Sequence, residues 1–135
     1  LVGWGDAGYQ AEKARRVAAG EASAALLDYS HAHNEVLDQF AKRGLIGVAG
    51  LALLYAVPLW LLWPRRRRAP VADAAESGDR LCLRLIGVSV PLAFAGFGLT
   101  QTYFAHYNGV VIYLMLVTLL FAALQDRPSP AAPER

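Results

Sequence analysis

One short segment of the sequence concentrates the residues that could do chemistry. Residues 29–47, YSHAHNEVLDQFAKRGLIG, carry His31, His33 and Asn34 together with two carboxylates, directly before a long apolar run. Histidine titrates near neutral pH and is the commonest general base in enzymes. His33 and His31 are therefore the candidate catalytic residues. The alternative is that both rings hydrogen-bond to backbone and cap a membrane helix, and spacing alone slightly favours it.

The same histidines could instead bind a metal ion. They stand two residues apart rather than four, so they do not form the helical zinc pattern H-E-x-x-H. A third ligand would have to be Glu35, Asp38 or His106, and none has a diagnostic spacing. The single Cys82 excludes an internal disulfide and a cysteine-based metal site. We predict neither a metal ion nor a cofactor, and the sequence has no glycine-rich phosphate loop and no serine nucleophile elbow.

A short helix is predicted to position these residues. Asn34 is a good N-cap, Glu35 falls in the first turn, and Gly44 is a suitable C-cap for a helix over 35–43. The start of such a helix is a ready anion site, and phosphate is the obvious anion near a membrane. The same segment carries an apolar set, Leu37, Phe40 and Ala41.

The apolar residues of the chain are gathered into blocks. Hydrophobic residues make up 56% of the 135 residues, the mean hydropathy is +0.31, and residues 45–63 contain no charge. At 1.5 Å per residue this stretch is about 29 Å long, enough to cross a bilayer. We predict an all-α polytopic membrane protein fragment, the C-terminal piece of a larger protein, with transmembrane helices at 44–63, 85–105 and 110–124.

The positions of the arginines predict the topology. A run of arginines at 65–68, with Arg80 and Arg84, marks 64–84 as a basic cytoplasmic loop. Without an aromatic or base-reading module beside it, this run does not indicate nucleic acid as a partner. Residues 1–43 and the turn at 106–109 then lie outside, and 125–135 form a disordered cytoplasmic tail. Lys42 and Arg43 oppose this orientation slightly.

Other polar residues share the predicted outer side. Gln101 and Tyr103 at the end of the second span and His106 just after it are candidates to line a substrate path, although a structural turn is an equal alternative. Residues 11–27 are rich in Ala, Glu, Lys and Arg and are therefore helix-prone. Within them Arg15 and Arg16 could reach lipid phosphates or a bound anion, although a solvated helix face is the commoner outcome.

The string HAHNEVLDQFAKRGLIGVAGLALLYAVPL, residues 31–59, resembles the carboxy-terminal signature of the O-antigen ligase family. That family shows a His-Asn pair, a leucine three residues on, and a Gly-[Ile/Leu]-x-Gly step into a transmembrane helix. The GWG at residues 3–5 is similar to the glycine-rich lead-in to the family's periplasmic loop. The superfamily also contains O-antigen polymerases and protein O-oligosaccharyltransferases. The matching positions are His33, Asn34, Leu37, Gly44, Leu45, Ile46 and Gly47.

The resemblance implies an inner-membrane glycosyltransferase with its active site facing the periplasm. The donor would be polysaccharide on undecaprenyl pyrophosphate and the acceptor lipid A–core oligosaccharide, with membrane lipids around both. His33 would act as the base of a metal-independent, inverting transfer, and His31 would share the proton or orient the ring of His33. Asn34 and Glu35 would fix the tautomer or cap the helix. Candidate substrate contacts are Arg15, Arg16, Gln101, Tyr103 and His106, while the family's pyrophosphate-binding arginines would lie upstream.

Two other classes of function remain open at this stage. A transporter would also use polar residues and a proline within membrane helices. It would depend on Thr100 or Gln101 and be nearly insensitive to loss of His33. A purely structural membrane subunit would tolerate every histidine change.

Overall fold

The computed structural model describes residues 2–64 and 74–125, and these residues form helices joined by short turns. The arginines at 65–68, which mark the predicted cytoplasmic loop, lie outside the described residues, as does the predicted tail beyond residue 125. Three helices are long and apolar enough to cross a membrane: Glu35–Leu62, Gly78–Gly98 and Tyr107–Gln125. The predicted all-α fold of a multi-pass membrane protein is thereby confirmed. The helices are α1 (Gly5–Ala18), α2 (Glu35–Leu62), α3 (Ala74–Gly98) and α4 (Tyr107–Gln125), with 3₁₀ turns at Ala24–Asp28 and Tyr103–Ala105.

The three long helices pack together, with α3 in contact with both α2 and α4, while α1 lies against the start of α2. Pro58 lies inside α2 and has no N–H to donate to the carbonyl of Leu54, four residues earlier. The hydroxyl of Tyr113 on α4 donates to that carbonyl at 2.7 Å. The proline is accommodated because a neighbouring helix supplies the missing donor.

Helix α2 is broken once, at Gly44. This residue has φ 66° and ψ −153°, a conformation that is essentially restricted to glycine. The break frees the carbonyl of Ala41, which accepts a hydrogen bond from the N–H of Trp4 at 2.9 Å. A Cβ at Gly3 would collide with the backbone of Lys42, so the GWG segment docks closely against the break. The break lies at the residue predicted to end the first helix.

Several predicted boundaries differ from the observed helices. Helix α3 begins at Ala74, inside the predicted loop 64–84, because seven of residues 74–84 are Ala, Glu, Arg or Leu, which favour a helix and outweigh Ser77, Gly78, Asp79 and Cys82. It ends at Gly98 rather than 105, because the carbonyl of Leu99 and the N–H of Phe104 bond to the side chains of Asn34 and Glu35 instead of continuing the helix. Helix α4 begins at Tyr107, within the predicted turn 106–109.

The first part of α2 buries polar rather than apolar side chains. Leu37 and Phe40 are 59% and 52% exposed, so they face outward. In a membrane such residues contact lipid, which is as apolar as a protein core. The buried face of this segment is polar and consists of Glu35, Asp38, Gln39 and Lys42.

Candidate functional site

The candidate site lies at one end of the bundle, where the loop before α2 meets the turn between α3 and α4. Asn34 joins the two. Its side-chain oxygen accepts from the N–H of Leu37 at 3.0 Å, and its amide nitrogen donates to the carbonyl of Leu99 at 3.0 Å. Asn34 is thus the N-cap of α2, as its sequence position predicts. It also fixes the turn that carries Gln101 beside the histidine loop.

The three histidines of the chain form one cluster at this end. The ring centroid of His31 lies 4.5 Å from that of His33 and 5.4 Å from that of His106, both edge to face. His33 has φ 51°, an uncommon value for a residue other than glycine. This left-handed turn presents an exposed His33 ring next to its two neighbours.

One ring nitrogen of His33 has a partner. Its Nδ1 lies 3.3 Å from Oε1 of Gln101. A carbonyl oxygen can only accept, so in this contact Nδ1 carries the hydrogen, and the lone pair of the neutral ring is on Nε2. The arrangement suits a base, because a neutral imidazole with a free Nε2 can take up a proton.

His31 is held in its neutral form. Burial lowers the pKa of His31, and the neighbouring His33 and His106 lower it further. Its Nδ1 is buried and makes no hydrogen bond with the described part of the chain. A neutral His31 leaves the cluster able to accept a single proton on His33 without a second cation 4.5 Å away.

Glu35 lies beneath the cluster and is 1% exposed. Its Oε2 accepts from the backbone N–H of Phe104 at 3.0 Å, and its Oε1 accepts from Nε2 of Gln39 at 3.1 Å. The carboxylate therefore holds the 3₁₀ turn at Tyr103–Ala105 from below. Both of its oxygens are engaged inside the protein.

A small pocket opens beside the histidines on this turn. It has a volume of about 280 Å³ and is lined by Gln101, Thr102, Tyr103 and His106. Thr102 is 1% exposed, and its Oγ1 makes no hydrogen bond with the described residues. Thr102 escaped the sequence analysis because a threonine after an apolar span carries no pattern of its own.

A buried ion pair also supports the histidine loop, and the sequence analysis missed it. Oδ2 of Asp38 lies 3.0 Å from Nζ of Lys42, while Oδ1 accepts from the N–H of Ala32 at 3.1 Å. Ala32 stands between the two candidate histidines, so Asp38 fixes the backbone that carries both. The spacing of four residues within a predicted helix was the available signal.

Lys13 secures the loop from the side of α1. Its Nζ is buried and donates to the carbonyl of Tyr29 and, at 3.2 Å, to that of Leu26. Burial and the nearby Lys42 lower the pKa of Lys13. The ring of Tyr9 lies 5.1 Å from Nζ of Lys13 and 5.6 Å from Nζ of Lys42. The aromatic face partly compensates both buried cations.

Arg15 and Arg16 are engaged on the exposed face of α1. Each guanidinium lies 2.8 Å from a carboxylate oxygen of Glu12, and the two side chains are 60% and 55% exposed. The arginines lower the pKa of Glu12 to about 2, and Glu12 raises the pKa of Arg15. Their predicted contact with a bound anion would compete with this pairing. The solvated-face alternative describes them better.

The remaining candidates are placed as follows. Tyr103 is 37% exposed and packs against Phe94 and Phe97 of α3, with centroids 5.8 and 6.0 Å away. His106 is exposed, and its ring lies edge to face with that of His31 at 5.4 Å. Within residues 2–64 and 74–125, no three His, Cys, Asp or Glu side chains are grouped so that they could hold a metal ion.

Comparison with known proteins gives one similar sequence. The chain is 21% identical over 113 residues to an uncharacterized protein of Haemophilus influenzae, an alignment that covers 84% of this chain and 27% of that protein. The chain therefore spans about a quarter of the length of this relative. No family model matches the chain, and no solved structure matches it significantly.

Proposed function

We propose that the chain is part of a glycosyltransferase of the O-antigen ligase type. It would transfer polysaccharide from undecaprenyl pyrophosphate to lipid A–core at the periplasmic face of the inner membrane. The observation that carries the proposal is the exposed ring of His33, whose Nδ1 faces Oε1 of Gln101 and whose Nε2 is available as a base. The resemblance of residues 31–59 to the family signature supplies the reaction.

The proposed chemistry is a single displacement. Nε2 of His33 takes the proton of an acceptor sugar hydroxyl while the oxygen attacks the anomeric carbon of the donor. The bond between that carbon and the pyrophosphate oxygen breaks, and the pyrophosphate leaves with the electron pair, which gives inversion. Oε1 of Gln101 accepts the hydrogen of Nδ1 and stabilises the imidazolium as it forms. A lowered pKa keeps His31 neutral, so it adds no repulsion.

The pocket beside the histidines supports binding of a hydroxyl-rich ligand. The pocket is lined by His106 and Thr102, and Oγ1 of Thr102 is a buried polar atom without a hydrogen bond in the described chain. Such atoms are rare in folded proteins, and a polar ligand that satisfies them gains free energy. Sugar hydroxyls both donate and accept, so they fit a ring nitrogen and a threonine hydroxyl alike.

The test uses the full-length protein in a ligation assay with polyprenyl-linked polysaccharide and lipid A–core. We expect His33→Ala to lower the rate by about 10²–10⁴-fold, the usual contribution of a general base. His31→Ala is run in parallel, and Glu21→Gln, an exposed change on the loop after α1, is the control. The amount of inserted protein is measured for every variant. Normal ligation by His33→Ala would show that His33 is not the base.

Gln101→Leu tests the mechanism more finely. Without the oxygen beside Nδ1, the imidazolium that forms in the transition state loses its hydrogen-bond acceptor. We therefore expect a lower kcat with little change in KM. Loss of transport coupling in Gln101→Leu with full ligation in His33→Ala would favour the transporter. Lengthening of polyprenyl-linked glycan without transfer to lipid A–core would identify a polymerase.

A further inference from the structure

A second cavity lies away from the histidine cluster, in the groove between α2 and α4. Its volume is about 380 Å³, and it opens along the exposed side of both helices. Two polar residues, Gln39 and Arg43, stand at one end, and the rest of the lining is apolar apart from the ring hydroxyl of Tyr113. The apolar part runs down α2 through Ile46, Gly50 and Leu54.

The polar end of the groove carries one cation. Nη1 of Arg43 donates to Oε1 of Gln39 at 2.6 Å, and Nε2 of Gln39 in turn donates to Glu35. The guanidinium has five N–H donors, so this single bond leaves most of them for a ligand. Arg43 is exposed at the mouth of the groove. The described partner of Arg43 is a neutral amide, and the mouth therefore attracts an anion.

The dimensions of the groove favour a narrow occupant. From Arg43 to Leu54 the groove follows α2 for about 16 Å at 1.5 Å per residue. Its volume of about 380 Å³ over that length makes a long, narrow groove that can seat one extended hydrocarbon chain.

We propose that the groove binds one acyl chain of an anionic glycerophospholipid, with the phosphate at Arg43. The single cation at the mouth matches the single charge of a phosphodiester. The chain then lies along α2 and α4 below the polar end. This site is distinct from the histidine cluster and does not depend on the proposed transfer reaction.

Two glycines allow a test that blocks the groove without disturbing the helix. A Cβ at Gly50 would meet no atom within 4 Å, although Gly50 lines the groove, so a larger side chain there projects into it. Gly96 on α3 is equally open but is not part of the lining. Gly50→Leu fills the groove, and Gly96→Leu is the matched control. Arg43→Gln removes the cation, and Arg16→Gln is its control on the exposed face of α1.

The measurement is native mass spectrometry of the full-length protein titrated with phosphatidylglycerol or with phosphatidylcholine. We expect phosphatidylglycerol to bind more tightly, Arg43→Gln to weaken it about tenfold, and Gly50→Leu to abolish the tight site. The two control variants should bind as the unchanged protein does. Equal affinity for the two lipids, or unchanged binding in Gly50→Leu, would overturn the proposal.

Two further outcomes identify a different occupant and so also overturn the proposal. If undecaprenyl phosphate displaces phosphatidylglycerol at a much lower concentration, the groove is a polyprenyl site. If Gly50→Leu unfolds the protein at a lower temperature while Gly96→Leu does not, side chains of another helix in the longer protein fill the groove.

Discussion

The contact between Tyr113 and the carbonyl of Leu54 makes a quantitative prediction about the proline in α2. Removing the hydroxyl with Tyr113→Phe leaves that carbonyl without the donor that replaces the missing N–H of Pro58. A hydrogen bond of this kind contributes about 0.5–1.5 kcal/mol in water-soluble proteins and about 0.6 kcal/mol on average between membrane helices. We therefore expect Tyr113→Phe to lower the free energy of unfolding by about 1 kcal/mol.

The same change should cost much less in a Pro58→Ala background. Residue 58 then has an N–H four residues beyond Leu54 and donates to its carbonyl within the helix. We expect the cost of Tyr113→Phe to fall to a few tenths of a kcal/mol there, so that the two positions couple by roughly 0.5–1 kcal/mol. Denaturant titration in detergent, followed by circular dichroism, measures all four proteins. Equal costs in both backgrounds would refute the idea that Tyr113 compensates the proline.

Three further predictions concern the segment that carries the histidines. Asp38→Asn leaves the buried charge of Lys42 without its closest partner, and we expect a loss of about 3–5 kcal/mol in unfolding free energy, largely recovered in Asp38→Asn/Lys42→Met. Gly44→Ala forces a Cβ into a glycine-only conformation and should cost about 1–3 kcal/mol, whereas Gly50→Ala should be tolerated. Thermal stability should fall as the pH is lowered below about 6.5, and His31→Gln should flatten this dependence.

The sign of the pH effect follows from the direction of the shift. Burial lowers the pKa of His31 below its ordinary value of 6.5, so the unfolded chain takes up a proton at a higher pH than the folded protein does. Stability then rises with pH through that interval and is lost as the pH falls from about 6.5 to the folded pKa. A stability that stays level between pH 7.5 and 5.5 would contradict a buried neutral His31, as would an unchanged slope in His31→Gln.

Local chemistry made part of this fold predictable. An N-cap amide, a glycine at a helix break and long uncharged runs act over a few residues, and Asn34, Gly44 and the three apolar helices are where such rules place them. The predicted spans also place the histidine loop and the turn after α3 on one side, because two crossings return the chain to the side where it started. The contacts of Asn34 with Leu99 and of His33 with Gln101 lie at that side.

Features that depend on tertiary partners were not predictable in this way. The second span was predicted to end at 105 because residues 85–105 carry no charge. Nothing in residues 99–105 reveals that Glu35 accepts a hydrogen bond from the N–H of Phe104. Apolar periodicity does not identify the buried face of the first part of α2, because that rule assumes water outside and an apolar core. In a membrane the outer face is apolar, and Asp38 and Lys42 satisfy each other inside.

The polar start of α2 has a consequence for how the protein is assembled. An Asp or Lys at the centre of an inserting helix costs about 2.5–3.5 kcal/mol, and residues 35–43 carry both before the turn after α3, which packs on them, has been made. The membrane-insertion machinery is thus expected to take the hydrophobic stretch after Gly44 as its substrate and leave residues 35–43 at the surface. Their polar face becomes buried only once α1 and the turn after α3 are in place. The candidate site is then completed last, after all three helices have crossed.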